Sequence, residues 1–183
     1  MHILKLNAID STNKYLKELS LSKALEDFTA VWAHEQQNGK GQMGAKWVSE
    51  PGKNLTFSVL KKHKRFNVEH QFLLNIGVSL AILDVLHRLS IPDLSVKWPN
   101  DILSGTTKIC GILIENTLIG NQIQASIIGI GLNVNQLSFN NLTNVSSLKL
   151  LSGQTFNLEE LLKSILEGLN VRFLDLENEG KNC

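Results

Sequence analysis

The chain has 183 residues, 18 Lys and Arg against 17 Asp and Glu, and a formal charge of +1; this is enough for one substantial core but not for two full-sized domains. So even a balance gives no general basic field, which argues against broad binding to a nucleic-acid backbone. Two cysteines, Cys110 and Cys183, cannot build the disulfide framework of a small secreted domain.

The apolar stretch at 72–89 is broken by Asn75, Ser79, Asp84, His87 and Arg88, which lipid would not tolerate cheaply. The N-terminus lacks the charged-then-apolar layout of a secretion signal. A single-domain cytoplasmic protein spanning residues 1–183, with no DNA or membrane partner, is therefore expected.

In chain order, residues 3–6 suit a short strand, and Asp10 or Ser11 offers an oxygen to cap a helix bearing Tyr15, Leu16 and Leu19. Residues 28–33 are rich in strand formers and run through Gln36 into a glycine-dense loop ending near Trp47. A strand over 54–60 alternates Leu55, Phe57 and Val59 with Thr56 and Ser58, and its return past the loop predicts an antiparallel pair. A long helix at 68–89 is apolar on most sides. Residues 94–98 form a strand that Pro99 keeps extended at its end, which places Asn100 and Asp101 in a turn.

Strands at 108–115 and 122–134 are joined at Gly120 and Asn121, a hairpin signal. Residues 136–147 are polar and read as a loop. After Gly153, Asn157 caps a helix carrying Leu158, Leu161, Leu162, Ile165, Leu166 and Leu169. The order predicts an α+β domain, a mixed and largely antiparallel sheet with packed helices.

Chemistry concentrates in a few places. The loop Gly39-Lys40-Gly41-Gln42-Met43-Gly44 lets main-chain N–H groups approach an anion closely, with Lys40 adding a charge; alone, such a loop is more often an ordinary flexible turn. The two-residue period puts Gly129, Gly131, Asn133 and Asn135 on one face of a strand whose other face is Ile128, Ile130, Leu132 and Val134. That first face is bare and open to close approach by a flat ligand or another backbone, with Asn133 offering directional hydrogen bonds, although a bulge or packing notch has the same pattern.

Lys108 and Lys97 are cations within reach of that face, each by itself indistinguishable from a solvated lysine. Trp98 suits the core or a pocket wall, and Asp101 suits an Asx turn. His2, His34, His63, His70 and His87 show no zinc spacing. Cys110 sits among apolar neighbours without a paired base.

Asp10-Ser11-Thr12-Asn13, Glu35-Gln36-Gln37-Asn38-Gly39-Lys40-Gly41 with Trp47, Val96-Lys97-Trp98-Pro99-Asn100-Asp101, Lys108-Ile109-Cys110-Gly111-Ile112-Leu113-Ile114-Glu115 and Gly129-Ile130-Gly131-Leu132-Asn133-Val134-Asn135 follow one another. In this order they resemble the catalytic domain of the biotin protein ligases from about residue 7 to 135. The resemblance implies the fold shared with lipoyl ligases and class II aminoacyl-tRNA synthetases. It also implies a biotin pocket at Ser11, Thr12, Gln36, Gly39, Lys40, Gly41, Lys108 and Gly111. Nucleotide contacts would fall at Lys40, Asn100 and Asn133, and the catalytic groups would be Lys40, Lys97 and Lys108.

The implied activity is an ATP-dependent ligation that forms biotinyl-5′-adenylate and moves biotin to a lysine of a biotin carboxyl carrier protein. Mg2+ would be held mainly by substrate phosphates, with Asp101 as the candidate protein ligand, and the resemblance leaves room for a homodimer. A lipoyl ligase or transferase, or a biotin-binding module without catalysis, are the rival readings.

The sequence departs from the family in two respects. The family loop commonly reads Gly-Arg-Gly-Arg-Arg-Gly-Arg, whereas Lys40, Gln42, Met43 and Ala45 stand here in place of its arginines. No helix-turn-helix is expected before Ser11, and the family's small C-terminal β domain is expected to be absent after residue 179.

Overall fold

The computed structural model describes residues 2–139 and 142–179; part of the expected 136–147 loop and Cys183 lie outside them. The described strands are β1 (His2–Ile9), β2 (Thr29–Gln36), β3 (Leu55–Lys62), β4 (Leu94–Lys97), β5 (Asp101–Ser104), β6 (Thr107–Ile119) and β7 (Gln122–Leu132). The α-helices are α1 (Thr12–Ser22), α2 (Gln71–Arg88), α3 (Leu148–Ser152) and α4 (Leu158–Glu179). All seven strands join one sheet in the order β1-β2-β3-β7-β6-β5-β4. The β1–β2 pair is parallel, and every other neighbouring pair is antiparallel. The expected α+β class and the β2–β3 and β6–β7 pairings hold.

Strand alternation divides the sheet into two unlike faces. Ala30 and Trp32 of β2, Leu55, Phe57 and Val59 of β3, Cys110 and Ile112 of β6, and Ile128, Ile130 and Leu132 of β7 form the main core with α2 and α4. Leu74, Val78, Ile82 and Leu86 come from α2, and Leu162, Ile165, Leu166 and Leu169 from α4. Full burial of each such side chain contributes about 1.5–3 kcal/mol. Arg172 adds a cross-helix tie, donating from Nε and Nη2 to Asp84 Oδ2 at 3.1 and 2.6 Å.

The opposite face is covered differently. Leu16 of α1 packs on Val31, Leu60 and Ile127, so α1 shields only the β2, β3 and β7 part of the sheet. Its start is fixed by Ser11, whose side chain accepts from the Lys14 N–H. The sheet beyond that start is left for the site.

Several expectations need correction. Asp101 does not lie in a turn: it opens β5, which pairs with β4 and β6, because the reversal is completed within residues 98–100. The Trp98–Pro99 bond is cis. Strand β6 extends to Ile119, since pairing with β7 supports even its exposed end. Ser147 caps the short α3, which ends at Gly153 in the left-handed conformation.

Helix α2 is less enclosed than its composition predicts. Its length and hydropathy would suit a membrane span, but Leu74, Val78, Ile82 and Leu86 face the sheet and α4. Phe72, Ile76 and Leu80 remain 44%, 37% and 38% exposed, because one sheet and one helix cannot cover a whole cylinder.

Candidate functional site

A cavity of about 400 Å³ opens on the second face of the sheet, in front of the α1 N-terminus. It brings together Ser11, Thr12, Gln36, Lys40, Gly41, Lys97, Asn100, Asp101, Lys108 and Gly111, residues drawn from five separated stretches of sequence. Two expected site residues stand apart. Gly39 is outside the lining because Trp47 is seated on it: a Cβ there would lie 2.5 Å from the Trp47 carbonyl oxygen. Asn133 is 3% exposed and donates from Nδ2 to the Ser146 carbonyl at 3.0 Å. Its side chain thus anchors the segment entering α3 and does not line the hollow.

The glycine loop is a folded hairpin. Gly41 N–H donates to Ala45 O at 2.7 Å, Trp47 N–H donates to Gly39 O at 2.9 Å, and Lys40 bridges Lys46 between them. Met43 and Gly44 make the reversal with φ of 51° and 80°, the region glycine occupies without strain. Lys40 and Lys46 thereby both reach the cavity. Lys46 was not singled out from sequence, since a lysine beside a tryptophan carries no signal of its own.

The hairpin also explains the glycine period of β7, whose expected bare face is occupied. A Cβ on Gly131 would lie 2.3 Å from Trp47 Cε2, and one on Gly111 would lie 3.0 Å from Trp47 Cζ3. A Cβ on Gly129 would meet Asn13 Oδ1 at 2.3 Å. The indole therefore lies against the backbones of β6 and β7, and Asn13 fills the space above Gly129. Neither Trp47 nor Asn13 received a role from sequence, because each comes from a segment remote from the glycines it covers.

Charge in the cavity is unbalanced. Lys40, Lys46, Lys97 and Lys108 line it, and Asp101 is the carboxylate among the lining residues. Lys108 Nζ stands 2.6 Å from Asp101 Oδ1 and 5.9 Å from the Trp47 ring centroid, a pairing that aims a flexible amine across Gly111. Asn100 is pinned beside them, donating from Nδ2 to Ile112 O at 3.1 Å and accepting the Ile112 N–H at 2.8 Å. Trp98, at 58% exposure, is an outer wall of the cavity and not part of the core.

Toward α1 the lining is uncharged. Gln36 Oε1 accepts from the Thr12 N–H at 2.8 Å, tying the helix start to the end of β2. Among the described residues, no group of three or more His, Cys, Asp or Glu could hold a metal ion. Asp101 supplies one carboxylate, which suits an ion such as Mg2+ that keeps its waters and arrives on phosphates.

Cys110 points into the core on the other side of the sheet, and burial pushes its thiol far above the ordinary range. It supplies no nucleophile. In a Cys183→Ser variant, no thiol should react with an aromatic disulfide reagent until denaturant opens the core; rapid labelling of the native protein would contradict this placement.

Comparison with known proteins agrees with this geometry. The family model described as "Biotin/lipoate A/B protein ligase family" matches residues 6–133. The bifunctional ligase/repressor BirA of Bacillus spizizenii is 30% identical over 183 residues, covering 98% of this chain and 56% of that protein. The biotin--[acetyl-CoA-carboxylase] ligase of Paracoccus denitrificans is 35% identical over 127 residues, covering 68% and 51%. The chain thus spans about half the length of these relatives. The biotin protein ligase of Aquifex aeolicus in complex with biotin and ATP superposes with a TM-score of 0.80 at 29% identity, over 93% of this chain and 69% of that one. With this catalytic fold and a match over residues 6–133, the chain belongs to the biotin/lipoate A/B protein ligase family.

Proposed function

We propose that this chain is a biotin protein ligase that activates biotin with ATP and passes it to a lysine of a biotin carboxyl carrier protein. The observation that carries this reading is a cavity with an uncharged end at Ser11, Thr12 and Gln36 and a cationic end with four lysines against one carboxylate. An acid with a polar, neutral head and an anionic tail fits that division. The names of the Aquifex and Paracoccus proteins support biotin as the acid and a carboxylase as the destination.

In the first step, a carboxylate oxygen of biotin attacks the α-phosphorus of ATP, and the bond to the bridging oxygen of pyrophosphate breaks. The reactants repel each other, so Lys108, Lys40, Lys46 and Lys97 lower the cost of their approach and stabilise charge that builds on the phosphoryl oxygens. Holding both in one hollow makes their encounter effectively unimolecular. Asp101 keeps Lys108 aimed and desolvated on one side. Bound Mg2+ would neutralise the leaving pyrophosphate, with Asp101 as the residue able to reach it.

In the second step, the neutral amine of the carrier lysine attacks the acyl carbon, AMP leaves, and the amine proton passes to solvent. The buried Cys110 gives no acyl-enzyme route.

The test is an intact mass spectrum of a biotin carrier domain after incubation with this protein, ATP and either biotin or lipoic acid. Biotin addition without lipoyl addition supports the reading. Lipoyl addition alone overturns it in favour of the other branch of the family, and biotin binding without any adenylate overturns it in favour of a binding module.

Loop charge has a separate consequence. Gln42 lines the cavity where a cation would hold the adenylate phosphate. Gln42→Arg should slow dissociation of biotinyl-adenylate by about tenfold, the scale of one charge-assisted hydrogen bond. Equal off-rates in rapid-dilution measurements would dismiss a role for that position.

A further inference from the structure

We infer that Ser58, Asn13 and Glu115 set the hydrogen-bond polarity of the uncharged end of the cavity, so that Thr12 and Gln36 present a pair of acceptors that demand a donor from the ligand. The ureido N–H of biotin supplies that donor, whereas the dithiolane ring of lipoate has none. This inference rests on the biotin reading above and adds three positioning residues to it.

The argument is a count of hydrogens. Asn13 Nδ2 lies 2.8 Å from Glu115 Oε2 and 3.4 Å from Leu113 O, both pure acceptors, so the amide orientation is fixed. Its Oδ1 therefore faces Ser58 Oγ at 2.6 Å, and the hydrogen in that contact must come from the serine. Ser58 Oγ is also 2.7 Å from Thr12 Oγ1. With the serine hydrogen already spent, the threonine hydrogen serves this 2.7 Å buried contact and not the 3.0 Å, part-buried one to Gln36, because the closer and drier pair of oxygens is the costlier to leave without a hydrogen.

Gln36 is fixed in the same way. Its Oε1 accepts the Thr12 backbone N–H at 2.8 Å, so an oxygen stands there. The same oxygen lies 3.0 Å from Thr12 Oγ1. Two hydroxyl hydrogens serve three oxygen–oxygen contacts, and the third contact has none of its own.

That contact lies on the cavity lining, because Thr12 and Gln36 both face it. Two facing acceptors without a hydrogen are unfavourable when desolvated, and a ligand N–H placed between them corrects the deficit. The remainder of the relay is shielded: Ser58 is 0% and Asn13 4% exposed. Gly129 accommodates it, since a Cβ would lie 2.3 Å from Asn13 Oδ1, the oxygen that takes the serine hydrogen. Ser58→Ala would release the threonine hydrogen to Gln36 and fill the deficit internally.

The experiment is calorimetric titration of wild type and Ser58→Ala with biotin and with the two cyclic carbamates in which one or the other ureido N–H is replaced by oxygen. Wild type should bind biotin, and one carbamate about tenfold more weakly. Ser58→Ala should lose about tenfold for biotin and nothing further for that carbamate. Ser58→Cys, whose thiol is a weak acceptor and so also frees the threonine hydrogen, carries the same readout should Ser58→Ala fail to fold. Unchanged biotin affinity, or an equal loss for biotin and both carbamates, overturns the inference. Failure of wild type to bind biotin overturns the underlying reading instead, before any variant is compared.

Discussion

Lys108→Met is expected to slow biotinyl-adenylate formation by about 10²–10³-fold, the range seen when one preorganised donor to a developing anion is removed. Methionine keeps most of the stem that crosses Gly111 and lies beside Trp47, so the loss reports charge and not packing. Removal of the amine also strands Asp101, which stands 2.6 Å from it, as an uncompensated carboxylate facing two anionic substrates. ATP affinity should therefore fall as well. Adding Asp101→Asn removes that repulsion, and the double variant should regain ATP affinity while staying slow. A Lys108→Met enzyme with normal single-turnover adenylation would remove the amine from the mechanism.

The second large effect belongs to Gly131→Ala. A Cβ at this position would stand 2.3–2.8 Å from three atoms of the Trp47 ring, closer than real contacts allow, so the indole must leave its seat. Because Trp47 belongs to the surface hairpin 39–47 and not to the core, the ring can swing outward. The stability cost should stay at the low end of overpacking, about 1 kcal/mol, or roughly 2–4 °C in Tm for a chain of this size. Ligand binding should suffer more, by at least about tenfold, because the displaced hairpin carries Lys40 and Lys46 with it. The two positions should be coupled: in a Trp47→Ala background, Gly131→Ala should add little. Strictly additive losses in the double variant would show that the glycine serves something other than the indole.

Much of the fold was legible because its signals are local. The alternation of Leu55, Phe57 and Val59, the Gly120-Asn121 hairpin and the Ser11 and Asn157 caps each follow from a few neighbouring residues. Strand β5 was not legible: its four residues acquire their state from nonlocal pairing with β4 and β6, and a turn was the natural reading of the residues after Pro99.

The site divides along the same line. Sequence shows that Gly129 and Gly131 lack side chains on one face, but not that Asn13 and Trp47 occupy the space. Ser58 falls on the polar half of an alternating strand, yet it is fully buried because α1 and its cap close over β3. Asn133, offered as a ligand contact from its place beside the glycines, was drawn away by the Ser146 carbonyl, a partner supplied by a loop with no distinctive pattern. Lys40, Lys97 and Lys108 are legible as a cluster of motifs and Lys46 is not, while the pairing of Lys108 with Asp101 depends on the β5–β6 register.

The measurement that bears most directly on the central claim is biotin-dependent exchange of labelled pyrophosphate into ATP. Exchange is expected when biotin is present, none with lipoic acid in its place, and loss of the exchange in Lys108→Met. No label in ATP in the presence of biotin, or an undiminished rate without the Lys108 amine, would contradict that claim.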